Sequence, residues 1–298
     1  MGEPDPVVVG VDGSPSAWDA LDWAAAEAAT RACPLWIVSA CPPPVAPGPF
    51  VPVADVGGPG GAATDALLWE ASERARVVAP EVRVTSRTVL GGPALALTSP
   101  PAQLVVVGTR ALGRVRSALA GSVSVAVCSR ARCPVVVVPP LHAVDAGPWR
   151  ARVVVGVDGS DVSASAIGFA LAAAAQRGIG LTAVHAWTPS PPADMGGLGD
   201  DRVASEAGGR RRLAAALAPW RERFPDVDVR LEVVLDDPAH ALTAASGGAA
   251  LVVVGSRGRG WVTGTLFRSV SNAVLRHARC PTAVVRPTAT APRRSRVA

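Results

Sequence analysis

Residues 251–286 read LVVVGSRGRGWVTGTLFRSVSNAVLRHARCPTAVVR. The apolar, β-branched run Leu251–Val254 stops at Gly255, which predicts a short buried strand followed by a turn. A Gly/Arg-rich loop then leads into Val270, Ala273, Val274 and Ala278, whose spacing is that of one helix face. Pro281 ends that helix, because proline lacks the N–H a helix needs and restricts the residue before it. Thr282–Val285 follows as a second buried strand. Strand, glycine loop, helix, strand is an arrangement in which the backbone can approach a phosphate and the free N–H groups at the helix start can face it.

The same unit is written twice. VVVGVDGS occurs at residues 7–14 and again, letter for letter, at 153–160, an offset of 146 residues. LVVVG recurs at Leu104 and Leu251, Arg-Cys-Pro at Arg132 and Arg279, and Ser-Val-Ser at Ser122 and Ser269, each at an offset of 147. Ordered matches at nearly one spacing indicate a tandem duplication of a unit of ordinary domain size. The expected organisation is a first domain over 1–140, a linker over 141–150, a second domain over 151–287 and a disordered Pro/Arg tail over 288–298.

In the first copy Val7–Val11 is the first strand, and Ser14 is placed to cap a helix whose first residue is Pro15. Ala17, Leu21, Ala24, Ala25 and Ala28 share one face of that helix. Strands are expected at 35–40, 82–90, 104–107 and 135–138, with helices at 65–78 and from Pro93 to the break at Pro100-Pro101. Between them, 42–61 is too rich in Pro and Gly for regular structure and reads as a surface flap. The second copy repeats the strands at 153–157, 181–185, 229–235, 251–254 and 282–285. Its helices are expected at 162–176, 202–224, 238–246 and 269–278, the second of them weakened by Gly208-Gly209 and Pro219. Continuous apolar strands alternating with helices mean parallel sheets covered on both faces.

Composition narrows the function. Hydrophobic residues make up 49% and charged residues 18% of the 298, as in a packed α/β protein. No apolar run is long enough for a membrane span and the first six residues carry no signal-peptide core, so the expected compartment is the cytoplasm. The net charge is +5, and lysine is absent, so the permanent cations are all arginine. Without lysine there is neither a Walker A loop nor a Schiff-base nucleophile. The arginines are scattered apart from Arg210–Arg212 and Arg293, Arg294 and Arg296, and aromatic residues are few, which argues against a nucleic-acid surface. The five cysteines show no zinc or CxxC spacing, and Cys133 and Cys280, each before a proline, read as buried small hydrophobes. His142, His185, His240 and His277 form no ligand motif.

Open parallel sheets bind ligands beyond the carboxyl ends of their strands, where the strand order reverses. In each copy the Asp-Gly-Ser after the first strand and the glycine loop after the fourth would meet there. These features, together with the Gly-Ser before the following helix and the Arg-Cys-Pro before the last strand, resemble the universal stress protein family in its tandem form, over about residues 6–139 and 151–287. The resemblance implies two tandem Rossmann-like (adenine nucleotide alpha hydrolase-like) domains, each a five-stranded parallel sheet with helices on both faces. It also implies ATP as ligand, with or without Mg2+. Adenosine would lie near the aspartate after the first strand, and the phosphates on a loop of pattern Gly-x2-Gly-x9-Gly-Ser/Thr.

Carried onto this chain, the implied nucleotide-binding set is Gly10, Asp12, Ala40, Gly108, Arg110, Gly121, Ser122 and Val123 in the first copy. In the second it is Gly156, Asp158, His185, Gly255, Arg257, Gly258, Ser269 and Val270. The loops depart from the pattern once each, at Ala111 in place of the second glycine and at Arg268 in place of the third. Asp12 and Asp158 have a plainer reading as turn residues, and Ser122 and Ser269 as helix caps. Those departures keep open an alternative, a structural or signalling dimer without nucleotide. No catalytic or metal-binding residue is assigned, and slow ATP hydrolysis is the most that an enzymatic reading allows. Pairing of the two copies and homodimerisation are expected, through final strands that lie at a sheet edge.

Overall fold

Valine runs punctuated by glycine or proline become the inner strands, and alanine-rich segments between them become the helices. In the computed structural model the described residues are 4–41, 61–109, 122–140, 152–188, 198–256 and 270–287. The Pro/Gly-rich passage over 42–60, the linker and the tail lie outside them, as do Arg110, Ala111, Gly121, Arg257, Gly258, Arg268 and Ser269. The chain divides into two compact units, Met1–Leu141 and His142–Ala298.

The first unit runs β1 (Val7–Gly10), α1 (Pro15–Thr30), β2 (Leu35–Cys41), α2 (Gly61–Val78), β3 (Val84–Leu90), α3 (Pro93–Thr98), β4 (Leu104–Gly108), α4 (Ser122–Arg130) and β5 (Val135–Val138). Its strands are parallel in the order β3-β2-β1-β4-β5, with Val7 beside both Leu35 and Leu104. The order reverses between β1 and β4. Right-handed crossovers then put α1 and α2, which pack on each other, on one face and the α3–α4 pair on the other. The alanine face expected of α1 is buried in full, at Ala17, Leu21, Ala24, Ala25 and Ala28. Arg74 of α2 ties the two helices by a two-pronged pair to Asp22, at 2.6 and 2.7 Å.

The second unit repeats this with β6 (Val153–Gly156), α5 (Asp161–Arg177), β7 (Leu181–Trp187), α6 (Leu198–Arg221), β8 (Val229–Leu235), α7 (Pro238–Ala245), β9 (Leu251–Gly255), α8 (Val270–His277) and β10 (Thr282–Val285). Its strand order is β8-β7-β6-β9-β10. Most elements fall within a few residues of expectation. As expected, α6 runs through Gly208-Gly209 and takes in Pro219, the residues that weaken it. A Cβ on Gly209 would stand 2.8 Å from Val233 Cγ1 and 3.1 Å from His185 Cδ2, so the glycine lets the helix lie close on β7 and β8.

One close approach positions the site in each unit. A Cβ on Gly108 would collide with the backbone carbonyl of Ser16, whose carbon would be 2.6 Å away. The end of β4 is thus pressed against the first turn of α1. At Gly255 the first obstacle is a side chain, Val162 Cγ1 at 2.7 Å, with the Val162 carbonyl oxygen further off at 3.2 Å. Backbone cannot turn aside and a rotamer can. Gly108→Ala should therefore cost about 3 kcal/mol in urea unfolding of the full chain and Gly255→Ala about 1. Equal costs would show that this contact does not position the strand end.

The cysteines are thiols, with Cys33, Cys128 and Cys280 buried and Cys41 and Cys133 half-buried. Burial pushes the Cys133 thiol up to about 11 and Cys280 up to about 12, and raises Cys33 as well. At pH 8 a thiol of pKa 11 is about one-thousandth thiolate, against roughly a quarter for a free cysteine. Iodoacetamide at that pH should leave Cys133 and Cys280 unmodified in the native protein while the urea-unfolded chain reacts completely. Peptide mass mapping checks this, and rapid native labelling of either would contradict it.

Candidate functional site

The Asp-Gly-Ser that ends β1 folds as an Asx turn. Asp12 Oδ1 accepts from the Ser14 backbone N–H at 3.0 Å and from Ser14 Oγ at 2.6 Å. Between them Gly13 has φ 78°, a left-handed conformation that suits glycine. The second copy reproduces this, with Asp158 Oδ1 accepting from Ser160 N at 2.9 Å and Ser160 Oγ at 2.6 Å, and Gly159 at φ 82°. Both carboxylates are exposed at the strand ends.

The expected cap role of Ser14 needs correction. It occupies the N-cap position of α1, but its side chain makes no cap bond and its hydroxyl is turned to Asp12 and to Ser16 Oγ at 3.4 Å. The hydroxyl donates to the carboxylate in a charge-assisted bond, and no helix N–H is placed to donate to its oxygen. Ser160 manages both tasks, since its Oγ also accepts from Ser163 N at 3.3 Å.

Two clefts open at the reversal points. The first, about 410 Å³, is lined by Gly10, Asp12, Ala40, Gly108, Ser122 and Val123, all of them residues singled out in the sequence. The second, about 160 Å³, is lined by Gly156, Asp158, Gly255 and Val270 from the expected set. In each unit the early aspartate and the glycine ending the fourth strand therefore stand on one rim of one sheet. The floor is built alike in both: a Cβ on Gly10 would sit 2.9 Å from Leu97 Cδ1 of α3, and one on Gly156 2.8 Å from Leu242 Cδ1 of α7.

The position at His185 was expected to edge the adenine through its backbone; its side chain does not line the cleft. Val184 and Ala186 line it, so the residue between them projects to the other side, where His185 Nδ1 lies 2.8 Å from the Val157 carbonyl oxygen. The counterpart of Ala40 is Ala186, as the 146-residue offset and the pairing of Val38 with Gly10 and Val184 with Gly156 require. Sequence reasoning also passed over Ser124 and Ser271, which line the clefts from the first turns of the loop-following helices. The repeated Ser-Val-Ser was the available signal. Leu97 and Leu242 carried none.

Among the cleft-lining residues described, the ionisable side chains are Asp12 and Asp158, and the remaining polar groups are serine hydroxyls and backbone. No group of three His, Cys, Asp or Glu side chains that could hold a metal occurs among the described residues. Asp236 and His240 form a separate exposed pair, Nδ1 to Oδ2 2.6 Å; hydrogen bonding to each other lowers the Asp236 pKa and raises that of His240. Asp237 accepts from Ala239 N and His240 N as the cap of α7. No helix among the described residues is long and apolar enough to cross a membrane.

The family model described as Universal stress protein family matches residues 4–139 and 150–286. A universal stress protein of Mycobacterium tuberculosis is 40% identical over 295 residues, covering 94% of this chain and 96% of its own. A second from the same organism is 36% identical over 299 residues, covering 95% and 97%. The crystal structure of a universal stress protein from Archaeoglobus fulgidus covers 95% of this chain and 97% of its own with a TM-score of 0.65, and at 17% identity it speaks for the fold. The chain belongs to the universal stress protein family and carries the family's domain twice in tandem.

Proposed function

We propose that the chain is an adenine-nucleotide-binding module, with ATP as ligand, whose occupancy sets its conformation or choice of partner in a cytoplasmic stress response. The observation that carries this reading is the meeting of Asp12 with Gly108, and of Asp158 with Gly255, on one rim around a cleft. An exposed carboxylate at the strand end is an acceptor for ribose hydroxyls or the adenine amino group. The apolar walls, Val38, Ala40 and Leu97 in one cleft and Val184, Ala186 and Leu242 in the other, suit the face of a base. Ser122 and the backbone opening α4 are the described donors for phosphate oxygens in the first unit, at a helix N-terminus where anions are favoured. ATP brings its own negative charge to such donors, and Mg2+ enters as the counter-ion of its phosphates, each cleft offering one carboxylate.

Freshly purified protein, denatured and examined by mass spectrometry, should release an adenine nucleotide, and calorimetry of the emptied protein with ATP and Mg2+ should show saturable heat. Absence of heat at both clefts, with no nucleotide released, would refute the proposal. Self-association belongs to the same reading, as the resemblance to the tandem form of the family implies. Light scattering should then give at least twice the chain mass of 30.2 kDa. A strict monomer at micromolar concentration would contradict it.

A further inference from the structure

We propose that the two clefts accept phosphate chains of different length, the first a nucleoside triphosphate and the second a nucleoside or its monophosphate, with Ser16 and Val162 setting the difference. This rests on the reading of both clefts as adenine-nucleotide sites. Ser16 and Val162 are equivalent positions, each four residues beyond its cleft's aspartate, and each lines its cleft. Ser16 is buried in the first turn of α1, with its hydroxyl in the cluster formed by Ser14 and Asp12.

In the first unit the atoms nearest the end of β4 are backbone, the Ser16 carbonyl and Ala17 N, and no side-chain branch is among them. In the second, Val162 Cγ1 stands over the end of β9, 2.7 Å from where a Gly255 Cβ would be. The second cavity is also the smaller, about 160 against about 410 Å³. An apolar branch there takes room and offers no donor, so a phosphate beside it would lose water without replacement. A serine hydroxyl can donate to the same oxygen. The base-facing walls do not differ in this way: Val38 and Val184, Ala40 and Ala186, Leu97 and Leu242 are the same residue types in both clefts. Discrimination therefore falls on the phosphates and spares the nucleoside.

Calorimetry on the nucleotide-free full chain tests this with ATP–Mg2+ and adenosine as probes. The unaltered protein should bind one ATP and two adenosines per chain. Val162→Ser should raise the ATP stoichiometry to two, and Ser16→Val should weaken ATP binding about ten- to hundredfold. A urea-unfolding midpoint equal to that of the unaltered chain reports that both variants are still folded. Two equivalent ATP sites in the unaltered chain would overturn the inference while leaving the nucleotide reading intact. So would an ATP stoichiometry that stays at one in Val162→Ser although its urea-unfolding midpoint is that of the unaltered chain. Failure of the unaltered chain to bind either probe would overturn both.

Discussion

The approach of a strand end to a helix start, with no Cβ between them, governs the rest of each unit. Because Gly108 lies against the Ser16 carbonyl, α1 must begin directly over the end of β4. The turn feeding α1 comes from β1, the neighbour of β4 in the sheet, so Asp12 is held above the crevice where the strand order reverses. Glycine at Gly10 then lets Leu97 of α3 close the crevice from the other face. The cleft is thus a consequence of how two helices on opposite faces seat against two adjacent strands. Gly156 stands in the same relation to Leu242, and Gly255 faces the first turn of α5 through the Val162 side chain, so the duplication preserved the seating of the helices as well as a string of letters.

That arrangement explains which parts of the molecule were legible in the sequence. Strands made of uninterrupted valine and a helix with alanine on one face announce themselves, and the octet shared by residues 7–14 and 153–160 is enough by itself to declare two units. The glycines were legible too, but as residues that let backbone approach a phosphate. The structure gives Gly108 and Gly255 a prior task in packing, a contact across roughly ninety residues of chain that no local pattern signals. His185 was singled out for its backbone, and which side chains of β7 face the cleft was less legible: a strand alternates its faces, and one residue of slip moves a side chain from the cleft to the opposite face. The Asp-Gly-Ser turn was readable in outline, whereas whether its serine oxygen also accepts a helix N–H, as Ser160 does and Ser14 does not, depends on placement that no local pattern signals.

The two rims of the sheet have diverged differently since duplication. At the amino-terminal rim of the second unit, buried Arg152 donates to Thr182 Oγ1, to the carbonyls of Leu181 and Asp228, and to the Asp228 carboxylate at 2.6 Å, which lowers the pKa of that acid. By the 146-residue offset the first unit has Pro6 and Trp36 at the positions of Arg152 and Thr182. Trp36 is instead covered by the Arg87 guanidinium, 3.8 Å from its ring centre, and the rim is held by Arg31, which bonds Glu27 at 2.6 Å and Gln103 at 3.3 Å. An ionic network and a stacked aromatic serve one end, because any well-satisfied set of groups can close a sheet there.

No such freedom exists at the carboxyl-terminal rim. Gly108 meets backbone, which no exchange of side chains can move, and Gly10 meets the leucine that closes the floor. A rim that must keep its strand ends this close to the helices can vary only in the side chains that point into the opening. Position 16 and its counterpart 162 are of that kind, a buried hydroxyl in one cleft and a branched hydrocarbon in the other. Duplication under this constraint leaves two cavities with the same floor and the same aspartate, and lets them drift apart in what their mouths will admit.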